Sequence, residues 1–289
     1  MKVLASDLDG TMFYPKSRFL MIPKKNREFL HRIYEKGDRL LVVSSRSLQF
    51  KPQLEKRLQV DFDFIGADGC VIEANGKIVH EDFLDPSIAL PMIDEIEADY
   101  CPGMMIATTP EHPMVCTREK VSLVTTIGYF LYMSVQGVYR EKFIRNDELF
   151  RSLIEQGKCY KIMILVGVSK KSQIKAEGIT KELVAKYPQF HFAWLNEFIE
   201  ITPKGCTKAT GVAKYLDSVG LSEDNVYVIG DSGNDVPMFE AFYENSFCMG
   251  HAPQSIREKA KHVVENYTDL EHTLYPLEDS KSPQLESKE

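Results

Sequence analysis

Apolar and polar positions in the first 66 residues alternate between short unbroken apolar runs and longer amphipathic stretches. Val3-Leu4-Ala5, Leu40-Leu41-Val42-Val43 and Phe62-Asp63-Phe64-Ile65-Gly66 are short runs, which predict strands buried on both faces. Between them, Phe29, Leu30 and Ile33 recur at helical spacing after Pro23 and stop near Gly37. Proline at the start and glycine past the end punctuate a helix. Phe50, Leu54 and Leu58 repeat the pattern. Strand, helix, strand, helix, strand predicts an α/β chain with a doubly wound, mostly parallel Rossmann-like core. Asn75-Gly76, between two short β runs over residues 70–80, predicts a hairpin.

From about Phe83 the pattern changes. Ile88, Met92, Ile93 and Ile96 follow Pro86 at helical spacing, and Met104 to Ala107 reads as a strand. Residues 160–167 are the clearest strand of this region, and Ile174, Ile179, Leu183 and Val184 mark a helix. Two strand-like pieces, 190–194 and 198–202, close it. The mixture predicts an inserted α+β module over residues 84–200, a cap on a core built from 1–83 and 201–275. Core-type alternation then returns: a helix over 207–219, a strand over 225–230 ending in Asp231-Ser232-Gly233-Asn234-Asp235, and further α/β pattern to Val264. Residues 276–289 are polar and read as a mobile tail.

Composition narrows the classes without choosing among them. With 289 residues, 44% hydrophobic and 27% charged, the chain has the balance of a globular protein with a sizeable core. Its net charge of −7 and lack of a basic cluster argue against a nucleic-acid partner. Six cysteines without a CxxC pair read as thiols of a reducing, cytoplasmic compartment. The first apolar run is broken by Asp7 and Asp9, so no secretory leader is expected. Residues 121–139 are uncharged, long enough to raise a membrane span. Their seven Ser, Thr, Gln and Gly residues favour a buried or interface element instead. Within it Tyr129, Phe130, Tyr132 and Tyr139 read as cap core, and Trp194 as packing. The histidines show no zinc-ligand spacing.

The chemistry sits where strands end. Asp7 and Asp9 follow the first strand two residues apart, so in extended chain they face one side. Ser44-Ser45-Arg46 follows the second strand, and Asp231, Asn234 and Asp235 follow the strand over 225–230. In a parallel sheet these C-terminal tips lie side by side, where open α/β sheets bind ligands. Lys208 starts the helix leading into the last of them. Converging carboxylates suit Mg²⁺, which keeps water and phosphate oxygens among its ligands. A lysine and loop amides suit phosphate. A metal with a carboxylate nucleophile can move a phosphoryl group.

Four motifs in order, DLDGT at Asp7, VVSSR at Ser44, PKGCTK at Lys208 and GDSGND from Gly230, resemble those of the haloacid dehalogenase superfamily, specifically its Cof-like subfamily IIB phosphatases. The 37 residues from Asp7 to Ser44 leave no room for a cap, whereas the 164 from Ser44 to Lys208 do. The resemblance implies that Asp7 attacks phosphorus and that Asp9 protonates the leaving alcohol, then activates water. It makes Leu8, Ser44, Ser45, Lys208 and Asn234 phosphate-binding residues, and Arg46 a substrate contact or else a surface residue. Asp7, the Asp9 carbonyl and Asp231 would bind Mg²⁺, with Asp235 direct or through water. Lys204 competes for the lysine role, but Lys208 matches the family's helix-opening position.

Two departures stand out. Ser44-Ser45 replaces the usual Thr-Gly, and Asp68-Gly69 replaces Asn-Gly, adding a carboxylate expected near the site entrance. The expected activity is Mg²⁺-dependent hydrolysis of a small phosphorylated metabolite, such as a sugar phosphate. Alternatives are phosphoryl transfer to a sugar hydroxyl and a non-enzymatic metabolite sensor, the latter disfavoured because a sensor has no use for Asp9.

Overall fold

In the computed structural model, residues 1–16, 21–117, 142–167, 169–195 and 198–276 are described. Among them two sheets carry the architecture. The first has eight strands: β1 (Val3–Ser6), β2 (Arg39–Val43), β3 (Asp63–Gly66), β4 (Val71–Ala74), β5 (Lys77–Glu81), then β12 (Val226–Gly230), β13 (Ser246–Met249) and β14 (His262–Val264). Their spatial order is β14-β13-β12-β1-β2-β3-β4-β5. The first six are parallel, while the β4–β5 hairpin adds an antiparallel edge. Asn75 and Gly76, with φ of 51° and 73°, form the hairpin turn that the Asn-Gly pair predicts.

Period-two alternation divides this sheet's side chains between two cores. Leu4, Leu40 and Val42 join Phe29, Leu30 and Ile33 of helix α1 (Lys24–Glu35) on one face. Val3, Ala5, Leu41 and Val43 pack on the opposite face with Val212, Tyr215, Met238 and Phe239. Because both faces are covered, every β1 residue is buried, and the strand reads as a continuous apolar run.

The second sheet has the order β10-β11-β9-β6-β7-β8. Its strands are β6 (Met104–Thr108), β7 (Met114–Cys116), β8 (Phe143–Arg145), β9 (Lys161–Leu165), β10 (Phe190–Leu195) and β11 (Phe198–Pro203). Pairing is antiparallel except between β7 and β8. Helices α3 (Pro86–Tyr100), α4 (Asp147–Glu155) and α5 (Lys170–Lys186) bury Met92, Ile93, Phe150, Ile154, Ile179 and Leu183 against Ile162, Ile164, Ile199 and Ile201 on one face. Strand β11 runs past residue 200, the expected module boundary, because its antiparallel pairing with β10 continues to Pro203. The short strands β7 and β8 and helix α4 lie where the sequence reading assigned no element. Residues 121–139, with their four aromatics, and residues 277–289 of the expected tail lie outside the described residues. Among the described residues no helix is long and apolar enough to cross a membrane.

The two sheets meet along Ala67, Cys70, Val71, Tyr160 and Cys206, with Phe83 stacked on Tyr160 at 4.9 Å. This contact sets β10 and β11 over the loops that leave β3 and β12.

Candidate active site

Strand β1 ends at Ser6 and the chain turns sharply through Asp7, Leu8, Asp9 and Gly10. Gly10 has φ +84°, and a Cβ there would lie 2.2 Å from Asp231 Oδ2, so only glycine lets the two loops approach. Leu8 anchors the turn in the first core. Gly69 plays the same part after β3: at φ +102° a Cβ would sit 2.3 Å from the Thr207 carbonyl oxygen. The helix over Lys208–Val219 (α6) can therefore start against that loop, with Thr207 as N-cap in a reciprocal capping box with Thr210.

Lys208, 1% exposed, is the hub. Its Nζ donates to Asp7 Oδ1 and to Asp235 Oδ1, both at 2.7 Å. The two carboxylates outweigh burial and raise the lysine further above its ordinary value, so it is a fixed cation. Lys204 is exposed and outside this cluster, whereas Lys208 lies at its centre. Asp235 is fully buried and saturated: its Oδ2 accepts from the amides of Asp231 and Ser232 and from Ser232 Oγ. It holds both the lysine and its own loop.

Asp7, Asp231 and Asp235 each place a carboxylate oxygen within 4.8 Å of the others, a set that can hold a cation. Burial, reinforced by Asp235, Asp231 and Asp9, raises Asp7 well above the carboxylate range despite Lys208. Burial and Asp235 likewise push Asp231 to about 7. Asp7 Oδ2 is buried with no hydrogen-bond partner among the described residues. Two acids raised by burial and by neighbouring carboxylates, with one orphaned oxygen, are the mark of a site built for a further positive charge.

Asp9 is set apart. Its carboxylate is 40% exposed and is gripped by Arg46, whose Nε and Nη2 each lie 2.7 Å from one oxygen. Arg46 is buried over the Phe50 ring, 4.4 Å from its centroid, so the reading of it as a surface residue is corrected. Ser44, also buried, accepts the Arg46 amide on its Oγ at 3.1 Å, and Ser45 beside it is half-buried. Asn234 donates to Asp68 Oδ1 at 3.1 Å and accepts from Ser232 Oγ at 2.6 Å. The residues expected at the site thus lie on the loops that follow β1, β2 and β12 and at the start of α6.

Other groups escaped the sequence reading. Asp68 is buried, not at an entrance: Lys161 Nζ bridges its Oδ2 at 2.8 Å to Glu200 Oε1 at 2.7 Å. Burial opposes ionisation of Asp68, but Lys161 and Lys208 hold it below its ordinary value. The Glu200 carboxyl is pushed up to about 7 by burial and by Asp68, against Lys161. His251, stacked on Tyr14 at 3.9 Å, brings Nε2 within 3.4 Å of Asp231 Oδ2. Trp194, read from the sequence as packing, is 40% exposed. It belongs to the rim of a cavity of about 260 Å³ that also touches Lys208, Asn234, Asp68, Glu200 and His191. Of these groups the sequence marks Asp68, through its departure from Asn-Gly; Glu200 and Thr202 carry no motif and are turned here by alternating with Ile199 and Ile201 of the apolar face.

The sequence family described as haloacid dehalogenase-like hydrolase matches residues 4–271. The chain belongs to this family. Pyridoxal phosphate phosphatase YbhA of Escherichia coli strain K12 is 24% identical over 93% of this chain and 95% of its own length. The 5-amino-6-(5-phospho-D-ribitylamino)uracil phosphatase YwtE of Bacillus subtilis strain 168 is 23% identical over 92% of this chain and 93% of its own. A solved haloacid dehalogenase subclass IIB sugar phosphatase superposes with a TM-score of 0.70 at 18% identity, covering 94% of this chain and 95% of that one. The expected α/β fold and the expected superfamily phosphatase both hold.

Proposed function

We propose that the chain hydrolyses the phosphate monoester of a small metabolite in two steps through a phosphoryl group carried on Asp7, with Mg²⁺ as cofactor. The observation that carries this reading is the Asp7 carboxylate: one oxygen fixed on Lys208, the other buried and without a partner among the described residues. A carboxylate so held is pre-oriented as a nucleophile, and its neighbours supply the positive charge a phosphoryl group needs.

In the first step Asp7 forms a bond to phosphorus as the bond to the leaving oxygen breaks, and Asp9 donates a proton to that oxygen. In the second, Asp9 takes a proton from water as water attacks phosphorus and the Asp7–phosphorus bond breaks. Asp9 has the exposure such a shuttle requires, and the two-point grip of Arg46 fixes its direction. Lys208, the Ser44 hydroxyl, Asn234 and the loop amides at Leu8 and Ser45 are the groups that hold the phosphoryl oxygens. Asp7, Asp231 and the Asp9 carbonyl would hold Mg²⁺, which when bound neutralises phosphoryl charge. Both Asp235 oxygens are taken by Lys208 and its own loop, which favours its acting on the metal through water. The module carrying the second sheet would act as the cap that covers the site and meets the leaving group.

The relatives named for pyridoxal phosphate, a phosphoribitylamino uracil and sugar phosphates support a small phosphorylated metabolite as substrate. Transfer to a second hydroxyl would use the same residues, and product analysis separates it from hydrolysis. The test is hydrolysis of a generic aryl phosphate with and without Mg²⁺. Wild-type protein is expected to need the metal, and Asp7→Asn to lose turnover by a factor on the order of 10⁴ or more. Activity that survives chelation or the asparagine substitution sinks the mechanism.

A further inference from the structure

The cavity touches Lys208 and Asn234, two of the groups proposed to hold the phosphoryl oxygens, and its lining also carries the carboxyl groups of Asp68 and Glu200. Strand register explains the wall. Ile199 and Ile201 of β11 turn toward the helices of the second sheet, so Glu200 and Thr202 between them turn the other way. His191 lies directly opposite Thr202 on β10 and shares that face. From the first sheet, the loop after β3 brings Asp68 to meet them.

The charge count is lopsided. Asp68 and Glu200 are both buried and both belong to the cavity wall. The cation between them, Lys161, is 2% exposed and already divided between the two carboxylates. Among the described residues lining the cavity, Lys208 is the only lysine or arginine, and it is bracketed by Asp7 and Asp235. His191 is kept toward its neutral form by burial, so it offers a hydrogen bond and not a charge. Counted as ionised groups, six carboxyls around the reaction centre and its annex (those two with Asp7, Asp9, Asp231 and Asp235) face three cations, Lys161, Lys208 and Arg46, and the crowding shows in the raised Asp7, Asp231 and Glu200. One dication and one phosphate leave this surplus in place.

We propose that Asp68 and Glu200 are specificity-determining residues, admitting a leaving group that is neutral or cationic and donates hydrogen bonds, and rejecting one that carries a second anionic group. The inference rests on the phosphatase reading above. Carboxylates accept hydrogen bonds from hydroxyl or ammonium donors, as on a polyol or an amine. A second phosphate or carboxylate would be desolvated against like charge, with no uncommitted cation on the described wall to receive it.

The experiment uses three aryl phosphates that differ only at the para position: hydroxymethyl, aminomethyl and carboxylate. The full-length protein is assayed with Mg²⁺ for kcat/KM on each, as wild type, Glu200→Gln, Asp68→Asn and the double variant. Like charges held within about 8 Å in a protein interior cost roughly tenfold or more, so the wild type is expected to disfavour the carboxylate by at least about that factor against hydroxymethyl. The gap should narrow in each single variant and close to within about threefold in the double variant. Because each ratio is taken within one protein, partial misfolding of a variant does not move it. Equal handling of the three esters by the wild type, or a gap unchanged in the double variant, overturns the inference while leaving the phosphatase reading intact. Failure to hydrolyse any of the three by the wild type counts against the phosphatase reading, and the inference falls with it.

Discussion

Asp7 and Asp9 stand two residues apart, yet their surroundings differ, as the two roles proposed for them require. Asp7 is buried on Lys208, whereas Asp9 is half-open and held by Arg46. Asp9→Asn is expected to keep metal and phosphate-analogue binding while losing turnover of a poor-leaving-group ester by roughly 10²–10⁴-fold; equilibrium binding set beside steady-state rates checks this. Metal affinity that falls as far as in Asp231→Asn would show the role to be misassigned. Arg46→Lys keeps the charge but loses the fork, so kcat should fall by about tenfold with KM little changed. The aspartates were legible because the motifs at Ser44, Lys208 and Gly230 follow the DxD in order, whereas a DxD alone fits an acidic turn equally well. The grip of Arg46 was not, since it closes over 37 residues of sequence and depends on where Phe50 places the guanidinium. His251 against Asp231 was equally hidden, because it arrives from beyond β13 with no motif around it.

At the level of elements, glycines and caps set the distances between loops. Gly10→Ala must accept φ +84° and push Asp231 aside. A loss of about 1–2 kcal/mol from the backbone alone is expected, read as a lower urea midpoint, with activity falling further than stability. Thr207→Ala removes the N-cap of α6 and should cost about 1 kcal/mol in the same measurement. The parallel strands and their helices were legible because both faces of the sheet are buried, which leaves unbroken apolar runs. Strands β7 and β8, three residues each, are too short to show a period, and their pairing partners are fixed only by the assembled sheet. Helix α4 carries Leu149, Phe150, Leu153 and Ile154 behind an Asn146 cap, a pattern present in the sequence but short and adjoining a long uncharged stretch that blurs its period.

Across the whole molecule, the Asp68–Lys161–Glu200 group ties the two sheets together through buried charge. Lys161→Met would leave two carboxylates facing each other and should destabilise the protein by about 3 kcal/mol or more. The group also links stability to pH. Glu200 titrates near 7 in the folded protein against an ordinary 4.5, so the folded state holds the extra proton between those values. Its contribution to stability therefore falls as pH rises from about 4.5 to about 7, and Glu200→Gln should flatten that part of the urea-midpoint profile relative to wild type. A profile unchanged by the substitution would mean that Glu200 does not titrate there.

The central claim is that Asp7 carries the phosphoryl group, and trapping it is the most direct measurement. An aryl phosphate with a good leaving group needs no proton from Asp9, so Asp9→Asn should complete the first step and stall before the second. Mixed with 4-nitrophenyl phosphate and Mg²⁺ and quenched in acid, this variant is expected to release a burst of one nitrophenol per site and to show one phosphoryl group on the peptide bearing Asp7. A phosphoryl group on any other residue, or a product with no burst and no modified peptide, would contradict the account.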